Sequence, residues 1–216
     1  MPRYSHQWAE VLDWVQVEKY LLKAAKVRDG EMLQCIIALA WIFGKRINEI
    51  LQLKREDIVV NAEYMTVAFR VGKKRVKRGP VVQTWPKKIN LAHPAMRYVL
   101  PWITKFSSGH IFPSRGKPRL IRRKWDNEKR CCTHYYTYRK PGGYLGHTRA
   151  TDLLKAVDPN LFWHLFRHSL ATQMGKKYKD PFLLKAFFDW EKIDQAAAYV
   201  HPDEEYINSV SKRTDF

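Results

Sequence analysis

The sequence predicts a mainly α-helical domain carrying a small antiparallel β-sheet, an α+β fold. Three observations point to it. Apolar residues recur at helical spacing through the first fifty residues and again through the last third of the chain. Between these regions, residues 57–71 hold Val59, Val60, Val67, Phe69 and Val71, the β-branched and aromatic composition of strands. The 216 residues show no internal repeat, low-complexity run or flexible linker, so a single domain over 1–216 is expected.

The first thirty residues read as helix, with Trp14, Val17, Tyr20 and Leu21 on one face. Asp29-Gly30 punctuates. Leu33, Ile36, Ile37, Ala40 and Trp41 then mark a second amphipathic helix. Gly44 ends it, and a short helix follows with Ile47, Ile50 and Leu51 turned inward. The strand-like 57–71 leads into a basic stretch, 72–79, closed by Gly79-Pro80 and followed by Val81, Val82 and Thr84. This predicts a β-hairpin with a positively charged tip. A helix from Met96 to Lys105 comes after Pro94, then a loop holding Ile111-Phe112-Pro113. Residues 114–150 crowd eight Lys or Arg between Arg115 and Arg130 and end near Pro141-Gly142-Gly143, so irregular or inserted structure is expected there. A helix is predicted over 149–157, and four more over 161–176, 181–188, 193–199 and 203–212.

Thirty-nine Lys and Arg against 21 Asp and Glu give a formal net charge of +18. Such a field attracts polyanions, and double-stranded DNA is the expected partner, through its phosphates. No run of about 18 uncharged apolar residues exists, so no membrane span or membrane partner is expected. Glu10 and Asp13 stand where the apolar core of a secretion signal would lie. Three cysteines, two of them adjacent, make no disulfide framework, which reads as a reduced, intracellular chain, cytoplasmic or nucleoid-associated. Cys131, Cys132, His134 and His147 have poor spacing for zinc, and no metal or other cofactor is expected.

Four clusters carry chemistry. Arg46 follows the helix-ending Gly44 and begins the next helix, where backbone N–H groups and a guanidinium together suit a phosphate. Glu49, one turn on, has the spacing to hold Arg46 in one rotamer. In the second cluster, His164, Arg167 and His168 share a helical stripe beside an apolar stripe of Phe162, Phe166 and Leu170. The third joins Trp190, with one indole N–H donor, to Tyr199, which follows the small residues Ala196-Ala197-Ala198. The hairpin tip is the fourth: six of the nine residues from Arg70 to Arg78 are Lys or Arg. Arg70, Lys74, Arg75, Lys77 and Arg78, with Arg122, Arg123 and Lys124, are the expected DNA-phosphate contacts.

In this order the clusters resemble the tyrosine recombinase (phage integrase) family, whose catalytic domain carries Arg…Lys…His-x-x-Arg…His/Trp…Tyr. Gly44 to Leu53, followed by Asp57-Ile58, is similar to the first arginine box, and His164-Leu165-Phe166-Arg167-His168-Ser169 to the second. The resemblance covers residues 15–210 and is weak across 114–150. It implies that Tyr199 attacks the scissile phosphate, giving a 3′-phosphotyrosyl link and a free 5′-hydroxyl, without metal or ATP. It implies that Arg46 and Arg167 grip the non-bridging oxygens, that His164 handles the tyrosine proton, and that Trp190 adds a neutral hydrogen bond. Lys73 is the lysine expected to protonate the leaving 5′-oxygen, with Lys74 and Lys77 as alternatives. The separate DNA-gripping domain that usually precedes the catalytic one is absent from this sequence, which reads as a fragment or a short form. Self-association on DNA through Pro202–Phe216 is expected, with Tyr206, Ile207 and Val210 on one helical face.

The function expected is therefore a site-specific recombinase or integrase. A type IB topoisomerase and a telomere-resolving strand transferase share its chemistry. A non-catalytic DNA-binding module is the rival from another class, with 30–43, the turn at Gly44 and 46–53 as a helix-turn-helix.

Overall fold

A computed structural model of the chain describes residues 11–70, 86–114, 119–138 and 143–200. Helix α1 (Trp14–Ala24) starts at a reciprocal cap: Asp13 Oδ1 accepts from the Gln16 backbone N–H, and Gln16 Oε1 accepts from that of Asp13. Next comes α2 (Gly30–Phe43), buried along almost its whole length and packed against α1. Leu33, Ile36, Ile37 and Leu39 are fully buried on it, each contributing about 1.5–3 kcal/mol of apolar transfer. Gly44, with φ of 54°, ends the helix as its left-handed cap and donates to Ala40 O. The short α3 (Ile47–Leu51) follows, then a 3-10 turn over Arg55–Asp57.

Strands β1 (Ile58–Val60), β2 (Tyr64–Val67) and β3 (Lys87–Asn90) form an antiparallel sheet in that order. The Asn61 side chain accepts from the N–H groups of Glu63 and Tyr64 and so sets the β1–β2 turn. Met65 and Val67 face the core from β2. The return strand that pairs with β2 is described at Lys87–Asn90, beyond the stretch read from the sequence; the expected return at 81–84 and the hairpin tip lie outside the described residues. Lysines at two successive positions of β3 hid its strand character.

After α4 (Met96–Ile103), residues 119–138 differ from expectation too. The region expected to be irregular or inserted holds two eight-residue strands, β4 (Arg119–Asp126) and β5 (Cys131–Tyr138), paired from Arg119–Tyr138 to Asp126–Cys131. Asp126 Oδ1 accepts from the N–H groups of Glu128 and Lys129 at the tip. The basic residues of β4 are strand-averse by composition, and they masked the β-branched and aromatic residues among them. The β4–β5 pair shares no ladder with the β1–β3 sheet.

The C-terminal third is helical as expected: α5 (His147–Val157), α6 (Trp163–Tyr178), α7 (Pro181–Phe188) and α8 (Asp194–Ala197). Helices α4, α5 and α6 all pack on α2. The segment before α1 is tied to α6, because Leu12 N–H donates to Ser169 Oγ at 2.9 Å and Leu12 O accepts from Gln173 Nε2. A main core surrounds α2, and a smaller cluster gathers Ala171, Leu184, Phe188, Trp190 and Ala196 with Tyr199 at its edge. The predicted helix over 203–212 and the self-association segment lie outside the described residues, among which no helix is long and apolar enough to cross a membrane.

Candidate active site

Two helix ends and one helix interior build the site. Arg46 occupies the N-cap of α3, with extended backbone (φ −66°, ψ 143°). Glu49, buried beneath it, holds Arg46 twice: Oε2 accepts from the Arg46 backbone N–H at 3.0 Å and Oε1 from Nη1 at 3.1 Å. The guanidinium is thus fixed by a carboxylate one turn on while its side chain stays about one-third exposed.

Arg167 is only 3% exposed, in the second turn of α6. Its Nη1 donates to Gly44 O at 2.7 Å and its Nη2 to Phe188 O at 2.9 Å. Those carbonyls end α2 and α7, so one cation caps two helix C-termini, where the helix dipoles favour positive charge. The guanidinium also lies over the rings of Phe188 and Trp190, 5.1 and 5.3 Å from their centroids. Burial, with the charge of Arg46 adding to it, pushes its pKa down to about 10, still well above neutrality. Gly44 permits this closeness, because a Cβ there would stand 2.4 Å from Phe188 Cε1.

Tyr199, half-buried just after α8, stacks on Trp190 with centroids 5.4 Å apart and planes 10° apart. Trp190 stacks in turn on Phe188. His168 Nδ1 lies 3.3 Å from Tyr199 Oη, within hydrogen-bond reach. Burial raises the Tyr199 pKa above 10.0, while the Arg167 charge draws it back down. Nothing larger than hydrogen fits at Gly175 on α6, where a Cβ would stand 2.0 Å from Tyr199 O.

The structure therefore gathers Arg167, His168, Trp190 and Tyr199, and pairs Arg46 with Glu49. His164 is exposed, one turn before His168 on α6, so the predicted stripe turns inward only from Arg167 onward. Arg70 is paired with the buried Asp57 at 3.0 Å. Lys73, Lys74, Arg75, Lys77 and Arg78 lie outside the described residues. The backbone of Arg122, Arg123 and Lys124 lies in β4, opposite Tyr135, His134 and Thr133.

Sequence reasoning missed Lys45, Asp189, Lys87 and Gly175. Lys45, only 2% exposed, is ion-paired with Asp189 and lies 5.2 Å from the Phe69 centroid. Lys87 of β3 reaches Asp189 Oδ1 at 3.6 Å and donates to Ala186 O at 2.9 Å. The one available signal was a charged residue, Lys45, wedged between apolar α2 and the arginine.

The family model described as the phage integrase family matches residues 10–206. Among solved structures the chain is similar to XerH site-specific recombinase bound to difH substrate in a pre-cleavage complex, at 15% identity and a TM-score of 0.60, over 96% of this chain and 55% of that one. It is similar to XerA recombinase at 13% identity and 0.56, over 96% and 66%. A third is the Tn1549 transposon integrase in complex with circular intermediate DNA, at 13% and 0.56, over 95% and 65%. The chain thus spans between about half and two-thirds of the length of these structures.

Proposed function

Because this chain belongs to the phage integrase family, the tyrosine recombinases whose fold it carries, we propose that it cuts and rejoins double-stranded DNA as a site-specific recombinase. One observation carries the reading: Tyr199, at the far end of the chain from α2, is held against His168 and Trp190, with the Arg167 guanidinium over the Trp190 ring. Tyr199 Oη attacks the scissile phosphorus, forming a P–O bond to the tyrosine as the P–O5′ bond breaks. The leaving 5′-oxygen takes a proton, and the phosphotyrosyl ester keeps the energy of the diester, so the 5′-hydroxyl of a second strand reverses the step without ATP.

Arg46 and Arg167 balance the charge that builds on the non-bridging oxygens, in a pocket already fixed before the substrate arrives. His168 is the histidine whose geometry supports receiving the Tyr199 proton, and His164 is assigned to hold the phosphate from the exposed side of α6. Trp190 acts as the platform that orients the tyrosine ring, with its indole N–H for a phosphate oxygen. Lys73 keeps its proposed place as the proton donor to the 5′-oxygen. Recombination also requires copies to meet on DNA, which we assign to the segment 202–216.

The non-catalytic module is disfavoured by the shortness and burial of α3, whose five residues leave only Asn48 exposed. The deciding experiment incubates the protein with nicked suicide duplexes, or with supercoiled plasmid where the site is unknown. Adducts that survive denaturant, disappear in Tyr199→Phe and map to a peptide containing Tyr199 are expected. Tight salt-sensitive DNA binding with no adduct, also when longer upstream sequence is supplied, would replace this reading by binding alone.

A further inference from the structure

We infer that Lys45, Asp189 and Lys87 form a positioning clasp that sets the guanidinium of Arg167 for its phosphate, an inference that rests on the strand-transfer reading above. The two carbonyls that hold Arg167 belong to Gly44 and Phe188, and the residues immediately after them, Lys45 and Asp189, are ion-paired with each other. The pair therefore fixes the separation of the two carbonyls that the planar fork of Arg167 must bridge. Asp189 adopts a left-handed conformation, φ 51°, which turns its carboxylate toward Lys45 while Trp190 proceeds to stack on Tyr199. Lys87 closes the third side from β3, on Asp189 Oδ1 and Ala186 O.

Three pieces of chain meet at this carboxylate. One carries Arg46, one carries Trp190 and Tyr199, and one is the strand that leaves the basic hairpin. The clasp residues hold the chain on either side of the Arg167 carbonyl partners and need not touch DNA, so each acts through Arg167. A buried ion pair seldom stabilises a fold more than apolar residues of the same size would. Its value here is geometric: the fork of an arginine reads displacement of either carbonyl directly.

The test uses the full chain with Asp189→Asn, since asparagine also accepts the left-handed conformation, and with Lys45→Met as a second variant. Single-turnover cleavage is followed on two suicide duplexes, one with the natural scissile diester and one with a neutral methylphosphonate there. On the diester, Asp189→Asn is expected to slow cleavage by about ten- to a hundredfold, with DNA affinity and adduct amplitude unchanged. On the methylphosphonate, which carries no charge for an arginine to balance, the defect is expected to shrink to about threefold or less. Equal slowing on both substrates, or a fall in amplitude at constant rate, would overturn the clasp.

Nitrogen NMR of Arg167 supplies a readout that needs no cleavage. The wild-type Nη1 and Nη2 signals are expected to be distinct, because two carbonyls block rotation of the group, and to merge in Asp189→Asn. Distinct signals in the variant would overturn the clasp whether or not the protein cleaves DNA. Absence of any wild-type adduct would instead remove the strand-transfer reading and leave the NMR result to decide how Arg167 is held.

Discussion

Arg167 and Tyr199 belong to one site but answer differently to substitution. Arg167→Met leaves Gly44 O and Phe188 O buried without a donor, which is expected to cost about 2–5 kcal/mol. In a chain of this size the midpoint of thermal unfolding then falls by several degrees. Tyr199→Phe removes one half-buried hydroxyl whose contact with His168 Nδ1 is long, 3.3 Å, and is expected to lower that midpoint far less. Calorimetry of the two variants checks the contrast. Tyr199 also ties stability to pH. Its pKa is raised on folding, so its contribution is complete below 10.0 and is lost as pH rises through the higher folded value. Melting curves from pH 9 to 11 should show wild type losing stability relative to Tyr199→Phe over that range; parallel curves would contradict the shift. At this scale Arg167, Trp190 and Tyr199, which the structure gathers, and Arg46, which it pairs with Glu49, were picked out by type and spacing. Lys45 and Asp189 were not, because their meaning lies in a partner 144 residues away, which no local pattern reports.

Helix α6 is the element on which the site turns. Its residues Arg167 and His168 face the tyrosine, Ser169 and Gln173 hold the chain entering α1, and Gly175 admits the Tyr199 backbone. Gly175→Ala ordinarily favours a helix, by roughly 1 kcal/mol. Here the added methyl meets a backbone oxygen 2.0 Å away, so the Tyr199 segment must move. The expected outcome is a net loss of about 1–3 kcal/mol and a fall in adduct formation, read by denaturant melts and the suicide-duplex assay; a more stable, fully active variant would contradict the contact. Helix limits were readable where a local signal such as Gly44 marks them, whereas the caps Asp13 and Asp180 show their role only in the structure. Strands were harder. The strand β3 begins with two lysines and β4 is crowded with arginines, so pairing depends on partners rather than on composition.

For the whole molecule, the net charge of +18 favours long-range attraction to a polyanion such as the proposed DNA substrate and says little of where a duplex would lie. The β4–β5 pair offers a way to separate affinity from fold, because it shares no ladder with the β1–β3 sheet. Replacing Arg122, Arg123 and Lys124 together by alanine is expected to leave the melting midpoint unchanged. If all three residues meet phosphates, the slope of log affinity against log salt becomes shallower by up to about 2.7. An unchanged slope in a salt titration would remove these residues from the DNA surface. The α+β class was visible in helical periodicity together with the strand-like composition of 57–71, whereas the β4–β5 pair was not.

The double capture of helix ends by Arg167 also bears on how such a protein decays. A lineage released from selection for the proposed strand transfer would lose Tyr199 by a change that disturbs the fold less, since Tyr199 sits at the rim of the smaller apolar cluster. Loss of Arg167 unfastens α2 and α7 together and exposes the product to proteolysis. Drift should therefore leave inert descendants that still keep their arginine, and an intact arginine is poor proof that a relative remains active.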